Sequence, residues 1–327
     1  MNDLGQLSTL AIYGAMACYA IAMVAFGIDL SGLRDGGDQG RPRRAVGIAM
    51  ATTTLGAVVH LVGIVLRGVA AGRVPWANMY EFSIVFSFVA VAIFLGLQVK
   101  RDLRFLGAFI VTPVLLSLGL AVSVFYLAAD GVQPALDSYW LVIHVSVATI
   151  ATGVLAVAAA LSAVQLGKER SELAARAEVS APRTEEALTP VGVGGRTEAV
   201  AAPGGAATSA DGRRFWGRLA DALPASAELE RLAYRLNAVG FLLWTFTLVA
   251  GAIWAEHAWG RAWGWDPKEV WTFVIWVVYA GYLHARATRG WDGRKAAYFC
   301  LTGFALILVN YFVVNTLFVS EHSYSGL

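Results

Sequence analysis

The chain is poor in charged residues. Asp, Glu, Lys and Arg make up only 15% of its 327 residues, against about 25% in an average soluble domain. Hydrophobic residues make up 57%, and the mean hydropathy is +0.61. A chain with so little charge lacks the polar surface that a water-soluble protein of this length needs. The composition therefore excludes a soluble globular enzyme and a disordered protein, and it indicates a polytopic membrane protein.

Cysteine and net charge are also low. The two cysteines, Cys18 and Cys300, lie in apolar runs and form no CxxC or CxxCH motif. They are therefore predicted to be buried thiols, and a small disulfide scaffold is excluded. The formal net charge of +2 argues against a protein that binds nucleic acid.

Long apolar runs dominate the sequence. A membrane-spanning helix needs about 20 mostly apolar residues, and eight segments meet this requirement. The predicted spans are Leu7–Leu30, Ala45–Val69, Met79–Val99, Phe105–Ala128, Tyr139–Leu166, Leu236–Ala255, Val270–Ala287 and Ala296–Val319. The first has no basic residue before it, so it is predicted to be a span rather than a cleavable signal peptide. The sequence therefore predicts an all-α membrane protein with about eight transmembrane helices.

Positive charges alternate between the predicted loops. The loops after the first, third and seventh spans carry clusters of Arg and Lys, whereas the other loops carry two cations or none. These residues are Arg34, Arg41, Arg43, Arg44, Lys100, Arg101, Arg104, Arg286, Arg289, Arg294 and Lys295. Because positive loops face the cytoplasm, we expect both termini outside, in a multi-pass protein of the cell (plasma) membrane whose active site faces outward.

One polar segment interrupts the apolar pattern. Residues 167–228 are rich in Ala, Gly, Glu, Arg, Thr and Pro and have no apolar period, so they are predicted to form a flexible cytoplasmic linker. The linker separates an N-terminal membrane part, residues 1–166, from a C-terminal part, residues 229–327. Apolar residues mixed with arginines from Phe215 to Leu236 are typical of amphipathic pieces on the inner leaflet. An ordinary solvated linker with a short helix is an equally good interpretation.

The tryptophans are concentrated in one place. Six of the eleven lie in WAEHAWGRAWGWDPKEVWTFVIW, from Trp254 to Trp276, and Trp244 lies in the preceding span. An interfacial aromatic belt also enriches tryptophan. A belt does not require the interleaved glycines, Gly260 and Gly264, or the Asp-Pro-Lys-Glu sequence that follows them. The segment is better explained as a flat, external, aromatic surface for a large planar ligand such as a porphyrin.

The polar residues of this segment have predicted roles of their own. Asp266 followed by Pro267 predicts the N-cap and first turn of the seventh helix. Arg261 and Lys268 could pair with the carboxylates of a porphyrin.

The histidines lie at two depths. An ionisable side chain within a membrane span is costly and indicates a functional site. His144, near the outer start of the fifth span, and His322, directly after the eighth, can reach the layer of the tryptophan segment. Since imidazole is a usual axial ligand of haem iron, this outer pair predicts a bis-histidine haem site. His60 and His284 lie deeper, and an ordinary hydrogen-bonded role is the alternative for any single histidine.

These residues resemble a known family. The run from Trp254 to Trp276, with its WGWDPKEVW core, resembles the WWD signature of haem-handling proteins. Combined with PWANMYE from Pro75 to Glu81 and the terminal HSYSGL, it resembles the CcsA family (ResC, or CcsB in some lineages) of system II cytochrome c biogenesis. The resemblance covers the second to eighth spans apart from the linker.

The resemblance implies specific roles. It implies that His144 and His322 ligate haem iron, and that His284 and His60 are transmembrane histidines that handle haem on its way outward. His257 carries no implied role and is expected to be solvated. The remaining residues expected at the haem site are Trp254, Trp259, Trp263, Trp265, Asp266, Trp271, Arg261 and Lys268.

The implied function is export of haem b and its ligation to an apocytochrome c with a CxxCH motif. In that function the chain is the membrane subunit of a cytochrome c haem lyase and works with a ResB-type membrane partner. The alternative is a haem-delivery chaperone or transporter without ligation activity. A redox subunit with permanent haems leaves the tryptophan segment unexplained. Glu81 could line the haem site or contact a partner, or it could be a helix-start carboxylate favoured by the macrodipole.

Overall fold

The structure is a computed structural model. It describes residues 2–32, 44–129, 138–180, 223–318 and 320–321.

The described residues form eight long helices, with no strand among them. The helices are α1 (Asn2–Gly32), α2 (Arg44–Ala71), α3 (Met79–Gln98), α4 (Gly107–Ser123), α5 (Tyr139–Ser180), α6 (Ser226–Trp259), α7 (Pro267–Arg289) and α8 (Gly293–Leu308). The chain continues from α8 as a π-helix over Val309–Val314 and ends in a short helical turn over Asn315–Leu317. Seven of the helices, all except α7, are long and apolar enough to cross a membrane. The predicted all-α membrane architecture is therefore confirmed.

The predicted linker, residues 167–228, overlaps the end of α5 and the start of α6. Helix α5 continues past Leu166 to Ser180, and α6 already starts at Ser226. The extension is rich in Ala, Glu and Arg, which favour helices. Lys168 and Glu172 form an i,i+4 ion pair of 3.9 Å within it. The linker is thus shorter than 167–228, and residues 181–222, with the first part of the predicted amphipathic segment, lie outside the described residues.

Small residues bring α1 and α2 into close contact. A methyl group at Gly56 would lie 2.8 Å from the Tyr19 ring, and one at Gly63 would lie 2.8 Å from Ile12. In a lipid environment this kind of close packing, rather than the hydrophobic effect, holds helices together. Of the two free cysteines, Cys300 is buried as predicted, whereas Cys18 is only half-buried.

Ion pairs collect at one end of the bundle. The pairs are Arg101 with Glu228 at 3.0 Å, Arg294 with Glu169 at 3.2 Å, and Arg286 with Glu230. All three arginines belong to loops or helix ends that the sequence predicts to be cytoplasmic. The tryptophan segment follows the opposite end of α6. The placement of both termini outside the cell remains a prediction.

Candidate functional site

A cavity lies near the end of the bundle that carries the tryptophan segment. Helices α3, α5, α6, α7 and α8 surround about 1430 Å³ of empty space, which includes its open mouth. The lining is mostly apolar and aromatic with a few polar groups, which is typical of small-molecule and cofactor sites. Residues that line it include Trp76, Asn78, Met79, Phe82, His144, Trp244, Trp254, Trp263, Lys268, Thr272, Asn310, Tyr311 and Asn315.

His144 is held in a defined orientation on one wall. Its ring lies parallel to that of Trp254, with centroids 6.0 Å apart and planes at 14°. Its Nδ1 is 3.0 Å from the carbonyl oxygen of Thr247. Because a carbonyl only accepts hydrogen bonds, Nδ1 is the donor, and the lone pair of the neutral ring is on Nε2. This is the arrangement in which a second-shell carbonyl orients a metal-binding imidazole.

A glycine on α6 makes room for this histidine. A methyl group at Gly251 would lie 2.8 Å from Cε1 and 3.0 Å from Nδ1 of His144. Only the absence of a side chain at this position lets the imidazole lie against α6 and reach the Thr247 carbonyl.

The tryptophan segment turns sharply between α6 and α7. Helix α6 ends at Gly260, whose φ of 67° is the left-handed conformation that glycine adopts most readily. Asp266 then caps α7: its Oδ1 accepts the N–H of Lys268 at 2.8 Å. Glu269 completes a capping box by accepting the N–H of Asp266 at 3.1 Å. The predicted N-cap at Asp266 is therefore confirmed.

Asp266 also ties down the end of the described chain. Its second oxygen, Oδ2, accepts the N–H of Glu321 at 2.9 Å, and the residue is buried. The carboxylate therefore holds the segment that precedes His322 against the start of α7. His322 itself lies outside the described residues, so its assignment as an iron ligand remains a prediction.

The tryptophans do not form a single flat surface, and this corrects the expectation from the sequence. Trp254 and Trp263 line the cavity, whereas Trp259 and Trp271 are absent from its lining. Trp259 packs edge-on against Trp254 at 63°. Trp265 is 76% exposed and has a φ of 58°. Because the loop turns between two helices, the rings point in different directions.

Only one of the two predicted carboxylate-binding cations lines the cavity. Arg261 lies 3.5 Å from Glu269 and 5.6 Å from the ring of Trp259. The Nζ of Lys268 lines the cavity and donates to the carbonyl of Asn310 at 3.4 Å and to the amide oxygen of Asn315. Burial lowers the pKa of Lys268 to about 7, and the neighbouring Asp266 carboxylate opposes part of this shift.

The deeper histidines are not part of the cavity lining. His60 is fully buried among α1, α2 and α3, where its Nδ1 is 3.3 Å from the hydroxyl of Tyr19 and its ring packs edge-on against Phe88. His284 is exposed on the outward face of α7. His257 is also exposed, as expected, and its Nδ1 donates to the carbonyl of Ile253 at 2.7 Å.

The PWANMYE segment contributes a second wall, and Glu81 anchors it. Glu81 is fully buried between Arg67, at 2.9 Å, and Arg73, at 2.7 Å. It also accepts the N–H of Ala77 at 2.9 Å, so it fixes the turn that presents Trp76 to the cavity. The structure therefore favours a structural role for the buried Glu81 carboxylate over a place in the lining of the cavity.

Sequence reasoning missed the contribution of α8. The π-helix over Val309–Val314 brings Asn310 and Tyr311 to the cavity, and Asn315 follows it. Tyr311 donates to the carbonyl of Met79 at 2.9 Å, which joins α8 to α3. Asparagines within an apolar span are a signal of functional or packing sites. A π-bulge, often found at functional sites, cannot be read from one sequence.

Comparison with known proteins agrees with these features. Residues 76–321 match the model of the family described as cytochrome C assembly protein. The chain is 38% identical to the cytochrome c biogenesis protein CcsA of Prochlorococcus marinus strain MIT 9303, over 83% of each chain. It is 33% identical to CcsA of Gloeobacter violaceus, over 80% of this chain and 81% of that one.

A solved structure extends the comparison to the fold. The fold is similar to that of the cytochrome c haem lyase CcmF, with a TM-score of 0.64 at 14% identity, over 95% of this chain and 47% of that longer chain. The match to the family model covers most of the chain and includes every helix that surrounds the cavity. The chain belongs to the cytochrome c assembly protein family, within its CcsA branch.

Proposed function

We propose that this protein binds haem b, as a substrate, in the cavity beside His144 and presents it outside the plasma membrane to an apocytochrome c. The observation that carries the proposal is the orientation of His144. Its Nδ1 donates to the Thr247 carbonyl at 3.0 Å, and the ring lines an aromatic cavity, where Nε2 is the nitrogen through which an imidazole of this tautomer binds iron. Similarity to CcsA proteins supports a role in cytochrome c maturation.

The chemistry of the lining suits a porphyrin. Trp254, Trp263 and Phe82 offer apolar ring faces, and Lys268 offers a cation for a propionate. The Nε1 of Trp76 is buried and has no hydrogen-bond partner among the described residues. A carboxylate oxygen of the ligand would give this donor the partner that a buried polar group needs.

The reaction requires positioning more than acid–base chemistry. In the proposed ligation each cysteine thiol adds across a vinyl group: sulfur bonds to one carbon, the thiol hydrogen ends on the other, and no oxidant is consumed. Haem supplies the two vinyl groups. The chain would hold the ring with His144, exclude water with its aromatic walls, and leave the vinyl edge open to the CxxCH segment.

A membrane partner is part of the proposal. His284 is exposed on α7 in the same outward face as Phe273 and Val277. An ionisable side chain exposed to lipid is costly, so we expect a ResB-type partner to cover this face. His322 would supply the second iron ligand.

The decisive experiment is co-expression of this chain with a ResB-type partner and a CxxCH apocytochrome, followed by haem staining of denatured cytochrome. The proposal predicts covalent haem on the cytochrome and a bis-histidine haem spectrum in the purified membrane complex. Haem in the complex without covalent product would favour the alternative, haem delivery without ligation. Absence of haem from the purified membrane complex would contradict both haem ligation and haem delivery.

A further inference from the structure

We infer that the side-chain oxygen of Asn310 accepts a hydrogen bond from a main-chain N–H of the apocytochrome segment, and that it positions this second substrate in the cavity that holds the haem. The inference deepens the proposed function and rests on it. It makes Asn310 a positioning residue for the polypeptide that makes no hydrogen bond to haem.

Asn310 is a buried polar residue in the wall of the cavity. It lies in the π-helix over Val309–Val314, lines the cavity and is 5% exposed. It contacts the first two turns of α7, which begins at Pro267. Its Nδ2 is 3.4 Å from Thr272 Oγ1, and its main-chain carbonyl accepts from Lys268 Nζ at 3.4 Å. Asn310 therefore lies at the end of the bundle that carries the tryptophan segment, where the proposed function places the apocytochrome.

The hydrogen bonds of Thr272 determine which way the Asn310 amide points. The Thr272 hydroxyl donates to the carbonyl of Lys268 at 2.7 Å, so its single hydrogen is already used. Toward Asn310 its oxygen can only accept, and the amide atom beside it must be the nitrogen Nδ2. The other amide atom, Oδ1, is buried without a hydrogen-bond partner among the described residues. Because an unpaired buried acceptor is costly, a ligand is expected to supply the donor.

Two other residues of the cavity lining have a buried polar atom without a hydrogen-bond partner in the described part of the chain, Trp76 and Glu269. The Oε1 of Glu269 has a charged neighbour, since it lies 3.5 Å from the guanidinium of Arg261. The Nε1 of Trp76 is a donor, to which the proposed function assigns a haem carboxylate. The Oδ1 of Asn310 is thus the acceptor that haem and protein leave without a donor.

Haem b offers no hydrogen to this oxygen. Its four ring nitrogens are bound to iron, and its methyl and vinyl groups are apolar. Its two propionates are ionised at neutral pH, because carboxyl groups lose their proton at about pH 4. A propionate near Asn310 would also lie near Lys268, whose positive charge favours the ionised form. The donor must therefore come from the second substrate, the polypeptide.

A main-chain N–H is the donor that suits Oδ1 best. A polypeptide carries one at every residue except proline, and each needs a partner when it leaves water for an apolar cavity. The cysteine thiol is a weak donor, and its sulfur has to reach a vinyl carbon. A hydrogen bond from the main chain beside the reacting cysteines would hold the segment in place while leaving both thiols free.

The test compares two buried asparagines. Asn310→Leu removes the acceptor with little change in side-chain size, and Asn310→Ala takes its place if the leucine variant does not fold. Asn237→Leu is the matched control, because Asn237 of α6 is fully buried and absent from the cavity lining. Asn310→Asp keeps an acceptor oxygen. Each variant is purified with the partner, its haem content and visible spectrum are measured, and it is titrated with a labelled AxxAH peptide. Alanine replaces both cysteines in this peptide, so that no covalent bond forms.

We expect Asn310→Leu to keep the haem content and spectrum of the unmodified protein and to bind the peptide about three- to ten-fold more weakly, the usual effect of losing one hydrogen bond. Asn310→Asp should bind the peptide more tightly than Asn310→Leu, and Asn237→Leu should bind it like the unmodified protein. Equal peptide affinity in Asn310→Leu and the unmodified protein would overturn the inference. Loss of haem from folded Asn310→Leu would also overturn it, because the oxygen would then serve the haem. Absence of haem from the unmodified protein would instead defeat the proposed function.

Discussion

At the scale of single residues, Lys268 is the cation that the structure places in the cavity. Its ammonium is surrounded by the Asn310 carbonyl and the Asn315 amide oxygen, and burial holds its pKa at about 7. A carboxylate ligand favours the charged form and so raises this pKa on binding. Above this pKa the empty site therefore holds fewer protons than the site with ligand bound, and the affinity for the ligand depends on pH.

We predict that the contribution of Lys268 to haemin affinity is constant below pH 7 and is lost as the pH rises above it. Below pH 7 Lys268 is charged with and without ligand, whereas above pH 7 the empty site must take up a proton to bind. Lys268→Met should bind more weakly and should lack this dependence between pH 7 and 9. Titration of the purified protein with haemin across this range measures both effects, and an unchanged pH profile in Lys268→Met would contradict the role of the ammonium.

Gly251 offers a second test at the residue scale. Gly251→Ala places a methyl group 2.8 Å from the His144 ring, so the imidazole must move away from the Thr247 carbonyl. We expect an altered visible spectrum of bound haem, with thermal stability reduced by about 1–3 kcal/mol as in other overpacked sites. Gly281→Ala is the matched control, since a methyl group at Gly281 has no neighbour within 4 Å. A normal spectrum in Gly251→Ala would show that the ring position does not matter.

At the scale of elements, the start of α7 organises the external loop. Asp266 caps the helix and holds the segment before His322, while Glu269 accepts the N–H groups of Gly264 and Asp266. The same short sequence therefore shapes the tryptophan loop and holds Glu321 beside it.

Asp266→Ala should destabilise the protein by about 1–2 kcal/mol, the usual cost of losing an N-cap side chain. It should also expose the chain near Glu321 to proteolysis, because the Oδ2 contact is lost. Asp292→Ala is the control: Asp292 occupies the N-cap of α8 but makes no capping hydrogen bond with its side chain. Thermal unfolding in detergent and limited proteolysis compare the two variants. Equal behaviour would argue against a special role for Asp266.

Elements also show what the sequence can and cannot predict. The Asp266-Pro267 pair predicted the start of α7 because capping is a local interaction. The length of α5 was underestimated, because residues 167–180 carry no apolar period although their helix propensity is high. The direction of each tryptophan ring could not be predicted, since it depends on the left-handed turns at Gly260 and Trp265.

At the scale of the whole molecule, the cavity lies at one end of the bundle, and the last residues of α5 and the first residues of α6 lie at the other. Glu172, in the extension of α5, accepts the N–H of Ser226 at 3.1 Å and also its hydroxyl. This contact joins α5 and α6 directly, so their connection does not depend on residues 181–222 alone. The sequence could not show this contact, because Glu172 and Ser226 are far apart along the chain.

We therefore predict that residues 181–222 are dispensable for ligand binding. Their replacement by a Gly/Ser linker of about 20 residues, which behaves as a flexible coil, should leave haem content and spectrum unchanged. Removal of the contact in the same background, by Glu172→Ala, should lower thermal stability. Loss of haem from the linker replacement alone would show that the linker takes part in the function.

The central claim is that the cavity beside His144 binds haem through that imidazole. The most direct test is the visible spectrum of the purified protein after His144→Ala, with His257→Ala as the control, because His257 is exposed and outside the cavity lining. We predict that His144→Ala loses the bis-histidine spectrum and most of its haem, that added imidazole restores the spectrum, and that His257→Ala is unaffected. A normal haem content and spectrum in His144→Ala would contradict the claim.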